Sequence, residues 1–128
     1  MGDFRTMSFN DIEEIRSEHL LEHFGRDEAI VILNLWKDWL KKDGILIVET
    51  PDFESICKAF EGKDRATQYW LTRHAYGSQE ADWAYHRDGW YEDKFKQLFP
   101  EIGFEIMSIE RNHTRGYLPN IKVTAKKI

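Results

Sequence analysis

A single cysteine, three prolines and no long apolar run set the first limits on this chain. The lone Cys57 excludes an internal disulfide and any multi-cysteine zinc site, and reads as a small buried or half-buried apolar residue. The longest apolar runs, Ala29–Leu33 and Ile45–Val48, are far too short to span a bilayer. The opening MGDFRTMSFN lacks the basic-then-apolar order of a signal peptide. With a net charge of −5 and a pI near 5.5, no basic field exists to draw in nucleic acid or an anionic membrane. Repeats, low-complexity tracts and Pro/Gly linkers are also missing. These absences lead us to expect a soluble, cytoplasmic, single-domain protein with no nucleic-acid or membrane partner.

What is present is a chain of 128 residues, enough for one real core. Aromatic residues make up 14 %, enough for one or two to line a pocket as well as fill the interior. The clearest element is a helix over Asp27–Lys42, where Ala29, Ile32, Leu33, Trp36, Trp39 and Leu40 recur at three- and four-residue spacing. Asp27 and Glu28 suit its positive end, Lys41 and Lys42 its negative end, and Gly44 is placed to stop it. ILIVE at 45–49 follows at once and reads as a strand covered on both faces. TPDF closes that strand, and Phe53–Phe60 begins another helix with Asp52 as candidate cap.

Glu61–Trp90 has no clean periodicity and reads as a lid-like irregular segment with some packed helix near Tyr69 and Trp70. Helix returns over Tyr91–Ile102, with Phe95, Leu98, Phe99 and Ile102 on one face, Pro100 expected to kink or shorten it and Gly103 to end it. FEIMSIERN and NIKVTAKKI flank HTRGYLP as a hairpin. Ile121, Val123 and Ala125 alternate with Lys122, Thr124 and Lys126, which predicts an antiparallel edge strand with one wet face. The order after residue 26 is therefore helix, strand, helix, loop, helix, strand, strand: an α/β layer fold with helices packed on the sheet and an antiparallel hairpin at its edge.

Four pieces of this sequence carry a resemblance: SEHLLEHF, WLKKDGILIVETPDF, HRDGWYEDKFKQLFPEIGFEI and the closing hairpin. In this order and spacing they resemble the C-terminal half of class-I S-adenosylmethionine-dependent methyltransferases, in particular small members with an H-x-LEHF segment. Gly2-Asp3 and MSF resemble the run before that family's fourth strand. The resemblance implies an incomplete Rossmann-like fold, with residues 1–128 as one truncated domain and 61–90 as a lid. It departs from the family in lacking the Gly-rich turn after the first strand and the acid ending the second, and no G-x-G occurs anywhere in the chain. Those features bring backbone to the cofactor and hold its ribose. S-adenosylmethionine is thus the implied cofactor, with this chain alone lacking part of its site.

SEHLLEHF itself admits two incompatible readings. By local rules Asn10–Phe24 is a helix, capped at Asn10 or Asp11 and stopped at Gly25. His19 and His23 then lie one turn apart and share a zinc with Glu22 as base, the third ligand coming from Glu80, Asp82, His74 or His86. In the methyltransferase reading Ile12–Ser17 is a strand and Glu18–Phe24 the loop behind it, and the downstream segments favour this. Glu18 and His19 then face the ligand crevice, and the resemblance places Asp3 with them on the cofactor side. His23 and His86 are candidate bases for the methyl acceptor, a small molecule. Trp83, Tyr85 and Trp90 are lid aromatics able to offer a face to the sulfonium.

The resemblance leaves Ile12–Ser17 as an open edge, since its usual neighbour is absent. The expected partner is a second copy in a dimer, or a separate chain pairing with that strand. Three functions follow: a methyltransferase completed by another chain, a non-catalytic remnant used in binding or assembly, and a zinc hydrolase built on His19, Glu22 and His23.

Overall fold

A computed structural model describes residues 8–128. Strand β1 (Ile12–Glu18) leads through a 3-10 turn (Leu21–His23) into helix α1 (Arg26–Trp39) and strand β2 (Leu40–Pro51). Helices α2 (Phe53–Phe60) and α3 (Arg65–Tyr76) follow, then a second 3-10 turn (Asp82–Ala84), helix α4 (Glu92–Ile102), and strands β3 (Phe104–Thr114) and β4 (Leu118–Lys127). The four strands form one sheet in the order β1-β2-β4-β3, parallel between β1 and β2 and antiparallel elsewhere. The molecule is the mixed α/β layer fold expected.

Residues 12–18 are strand, so tertiary pairing overrides the local helix propensity. Glu14 through Glu18 pair in register with Ile45 through Glu49. This removes the helix on which the zinc reading put His19 and His23 one turn apart. The expected helix over Asp27–Lys42 stops at Trp39 instead. Leu40 is already extended, 1 % exposed, paired with Ile12, and its carbonyl accepts from Lys127 Nζ at 2.7 Å. Residues 41–43 then bulge out of the pairing before Ile45.

The last strand also differs from expectation. β4 is interior to the sheet, between β2 and β3, and β3 is the edge. The alternating lysines therefore line a half-covered face, while Ile121, Val123 and Ala125 reach the core. Much of the segment expected to be irregular is α3, whose first turn is capped by Asp64 accepting from the Thr67 amide at 3.1 Å. Asp52 stands at the N-cap of α2 as expected, its carbonyl accepting from the Ile56 amide at 2.9 Å, but its carboxylate caps no amide and accepts instead from Ser55 Oγ at 2.6 Å and Arg111 Nε at 3.3 Å. Cys57 is exposed on α2 rather than buried. Pro100 sits in the last turn of α4, which runs on to Ile102.

The core lies between the sheet and α1 and α4. Ile32, Leu33 and Trp36 from α1 meet Leu46 and Val48 from β2, and a chain of rings runs Trp90, Phe95, Phe99, Phe104 at centroid spacings of 5.0, 5.3 and 5.5 Å. Each such side chain, removed from water, contributes about 1.5–3 kcal/mol. A smaller cluster of Ile56, Leu71 and Leu118 holds α2 and α3 to the hairpin. No helix among the described residues is long and apolar enough to cross a membrane.

Candidate functional site

The carboxyl ends of the two parallel strands are where ligands bind in open α/β sheets. Here Glu18 pairs with Glu49 across those ends. The chain turns off β1 at His19, which takes a left-handed conformation (φ 53°) while its N–H donates to the Glu49 carbonyl at 2.8 Å. That turn drives Leu21 and Glu22 inward, where they are 0 % and 2 % exposed. Leu21 is an ordinary core residue. Glu22 is a carboxylate in the interior, and neither of its oxygens has a hydrogen-bond partner.

Four of the five histidines gather around it. His19 faces carboxylates with both nitrogens: Nδ1 is 3.6 Å from Glu22 and Nε2 is 3.0 Å from Glu49. Glu22, the more buried carboxylate, is the main cause that holds the His19 pKa above its ordinary value; partial burial opposes it, and Glu49 adds to the rise. Glu49 is in turn held by Asn112 Nδ2 at 2.6 Å. His74, from α3, stands 6.2 Å ring to ring from His19 and donates Nε2–H to Asn120 Oδ1 at 2.8 Å and the Pro119 carbonyl at 3.1 Å. Burial pushes its pKa down.

His23 and His86 meet edge to face, with centroids 4.7 Å apart. A carbonyl can only accept, so the contact of His23 Nδ1 with Tyr85 O (3.1 Å) and of His86 Nδ1 with Ala75 O (3.2 Å) puts the proton on Nδ1 in both rings. Their Nε2 lone pairs are then free, and His86 Nε2 is 3.8 Å from Glu22 Oε2. Burial, the leading cause, keeps the His86 pKa low.

The loop bearing His86 is pinned at several points. Gly77 ends α3 at φ 87°, and a Cβ there would stand 2.1 Å from the Ala84 carbonyl. The His86 amide donates to Tyr76 O at 3.0 Å, and the Arg87 amide to the Glu22 carbonyl at 2.8 Å. An open cleft of about 710 Å³ lies at the mouth, with His19, His23 and Phe24 on one side and Trp83, Tyr85 and Arg87 on the other. A second, of about 580 Å³, shares Arg87 and is lined by Tyr76, His86, Asp88 and Lys94.

Of the residues singled out from sequence, His19, His23 and His86 converge here, and Glu18 is exposed at the end of β1 beside them. Trp83 is 78 % exposed and Tyr85 lies beside it on the cleft. Trp90 is 1 % exposed in the core, its face covered by Lys94 Nζ at 4.0 Å from the ring centroid. Asp3 lies outside the described residues. Of the possible zinc ligands, Glu80 pairs with Arg73 at 3.4 Å and Asp82 lines the cleft. Glu49 and Asn120 went unnoticed in the sequence. A charged residue closing the apolar run ILIV was the available signal for Glu49; Asn120 offered none.

No family model matches the sequence, and no curated protein matches it either. Solved structures do. A Burkholderia thailandensis 1,6-didemethyltoxoflavin-N1-methyltransferase with bound S-adenosylhomocysteine superposes with a TM-score of 0.64 at 13 % identity, over 96 % of this chain and 47 % of that one. Magnesium protoporphyrin IX methyltransferase from Synechocystis PCC 6803, also with S-adenosylhomocysteine, gives 0.62 at 15 % identity over 99 % and 49 %. A Methanosarcina mazei SAM-dependent methyltransferase gives 0.69 at 13 % identity over 99 % and 65 %. The chain has the Rossmann-like fold of these enzymes. It spans about half to two thirds of their length.

The residues of this chain do not by themselves fit S-adenosylmethionine. The cleft offers exposed aromatic faces, but neither parallel strand leads into a Gly-rich turn: β1 runs into the 3-10 turn Leu21–His23 and β2 into α2. The acid after β2, Asp52, is buried and engaged by Arg111 and Ser55.

Proposed function

We propose that this chain is the acceptor-side half of an S-adenosylmethionine-dependent methyltransferase, its cofactor site completed by a second chain docked on the free edge of β1. The observation that carries the reading is the end of the sheet. β1 is an outermost strand among the described residues, and its carboxyl end, just after the exposed Glu18, delivers His19 to the mouth of the aromatic cleft. An unpaired edge strand is a template for another strand. Its charged residues Glu13, Glu14 and Arg16 keep it soluble until it is covered. A second copy of this chain is the simplest partner, and a separate polypeptide carrying a Gly-rich turn is the other.

In this arrangement Glu18 and His19 stand on the cofactor side, with the small-molecule acceptor beneath Trp83 and Tyr85 and beside His23 and His86. The non-catalytic reading has one observation in its favour: no Gly-rich turn exists in the sequence. Calorimetric titration with S-adenosylhomocysteine separates the two, because the demethylated product needs no acceptor to bind. Saturable binding that His19→Ala abolishes supports the enzyme. Absence of heat from a chain that stays monomeric supports the remnant.

A further inference from the structure

We infer that Glu22, His23 and His86 form a binding site for a zinc-like divalent first-row cation. One ligand atom from each lies within 4.8 Å of the others. Three possible donor atoms meet there. Both imidazoles spend their Nδ1–H on backbone carbonyls, Tyr85 O and Ala75 O, which turns their Nε2 lone pairs loose. That is the arrangement in which a histidine ligand is oriented by its other nitrogen. Glu22 is 2 % exposed and has no hydrogen-bond partner on either oxygen.

The charge count points the same way. His19 is the one imidazole placed between carboxylates, and it serves two of them, Glu22 at 3.6 Å and Glu49 at 3.0 Å. Two carboxylates thus face the same end of the cluster, a lining that suits a cation. Two imidazole nitrogens and one carboxylate suit zinc and its neighbours rather than magnesium or calcium. Ligands at about 2.0–2.1 Å from a tetrahedral ion stand roughly 3.4 Å apart, so binding draws the three groups together by at most about 1.4 Å for any pair. Three protein ligands leave a position open for water or an acceptor atom. The ion also staples the turn after β1 to the loop bearing Trp83 and Tyr85. Unlike the helical zinc reading, this set makes Glu22 a ligand rather than the base and leaves His19 outside as a positioning residue; His86 is one of the third ligands that reading allowed.

This inference rests on the site of the proposed methyltransferase but assigns His23 and His86 to a cation instead of to proton transfer. Its test contains no cofactor, so either idea can fail alone. Tag-free protein is stripped with chelator, dialysed and titrated with Co²⁺ while visible absorption is followed, and Zn²⁺ is then added as competitor. The expected result is one equivalent bound in a four-coordinate spectrum, displaced by Zn²⁺, with Glu22→Gln and His86→Gln each weakening binding about tenfold or more. His113→Ala, on β3, serves as control and leaves binding unchanged. Circular dichroism in chelator establishes that each variant is folded, and the change at His86, less buried than Glu22, keeps the test valid if Glu22→Gln is not. Binding unaltered in the folded variants, or no spectrum up to roughly millimolar Co²⁺, overturns the site.

Discussion

Gly77→Ala measures how tightly the loop over the site is built. Gly77 has φ 87°, and an added Cβ would lie 2.1 Å from the Ala84 carbonyl and 3.1 Å from both the His86 amide nitrogen and its ring. No side chain can rotate away, because the obstacle is backbone. The loop must move outward by about 1 Å to restore ordinary contact, which disrupts the Gln79 N–H to Ala84 O bond (3.3 Å) and the His86 N–H to Tyr76 O bond (3.0 Å). Each bond contributes about 0.5–1.5 kcal/mol, and a non-glycine residue held at positive φ costs about 1–2 kcal/mol. The alanine recovers about 0.4–1 kcal/mol by restricting the unfolded chain. The net expectation is a loss of about 2–4 kcal/mol, or roughly 8–16 °C in Tm for a domain of this size. Gly62→Ala is the matched control, with φ 73° and nothing within 4 Å, so it carries only the backbone term of about 1 kcal/mol. Urea unfolding of both variants gives the comparison. Equal losses would refute the close-approach argument.

Other parts of the molecule give sharp expectations as well. Phe99→Ala empties a fully buried site between Phe95 and Phe104 and should cost about 3–5 kcal/mol in urea unfolding. His74 is held neutral by burial, with a folded pKa below its ordinary 6.5, so protons favour the unfolded chain as pH falls beneath that value. The stability advantage of wild type over His74→Gln should therefore shrink from pH 7.5 towards pH 5, and a growing advantage would contradict the burial argument. Glu92 is held down to about 2 by Lys96 first and Arg111 second, so its contribution is present above its ordinary 4.5 and fades as pH drops towards 2. Glu92→Gln should lose stability at neutral pH and lose none at pH 2.

Where one face of an element is apolar and the other wet, the sequence was informative: the stripe of α1, the run ILIV in β2 and the alternation in β4 all lie where the pattern puts them. Pattern could not tell that β4 is interior, because Lys122 and Lys126 keep their charged ends in water over a half-covered face. Nor could it place the end of α1, since helical spacing continues through Leu40 while pairing with Ile12 and the hydrogen bond from Lys127 Nζ to its carbonyl hold that residue in the sheet. Local propensity favoured a helix over 10–24, and only the downstream segments argued for strand. At the site, His19, His23 and His86 were visible as residue types, but their meeting with Glu22 and His74 depends on a loop whose path is set by Gly77 and by backbone bonds to Glu22. Sequence spacing carries no record of such contacts.

We propose that this chain contributes half of a cofactor site, and calorimetric titration with S-adenosylhomocysteine, run alongside sedimentation at the same protein concentration, is the direct test. The expected result is an assembled species that binds the ligand saturably in the micromolar range and loses that binding on His19→Ala. A monodisperse monomer giving no heat up to millimolar ligand would contradict it.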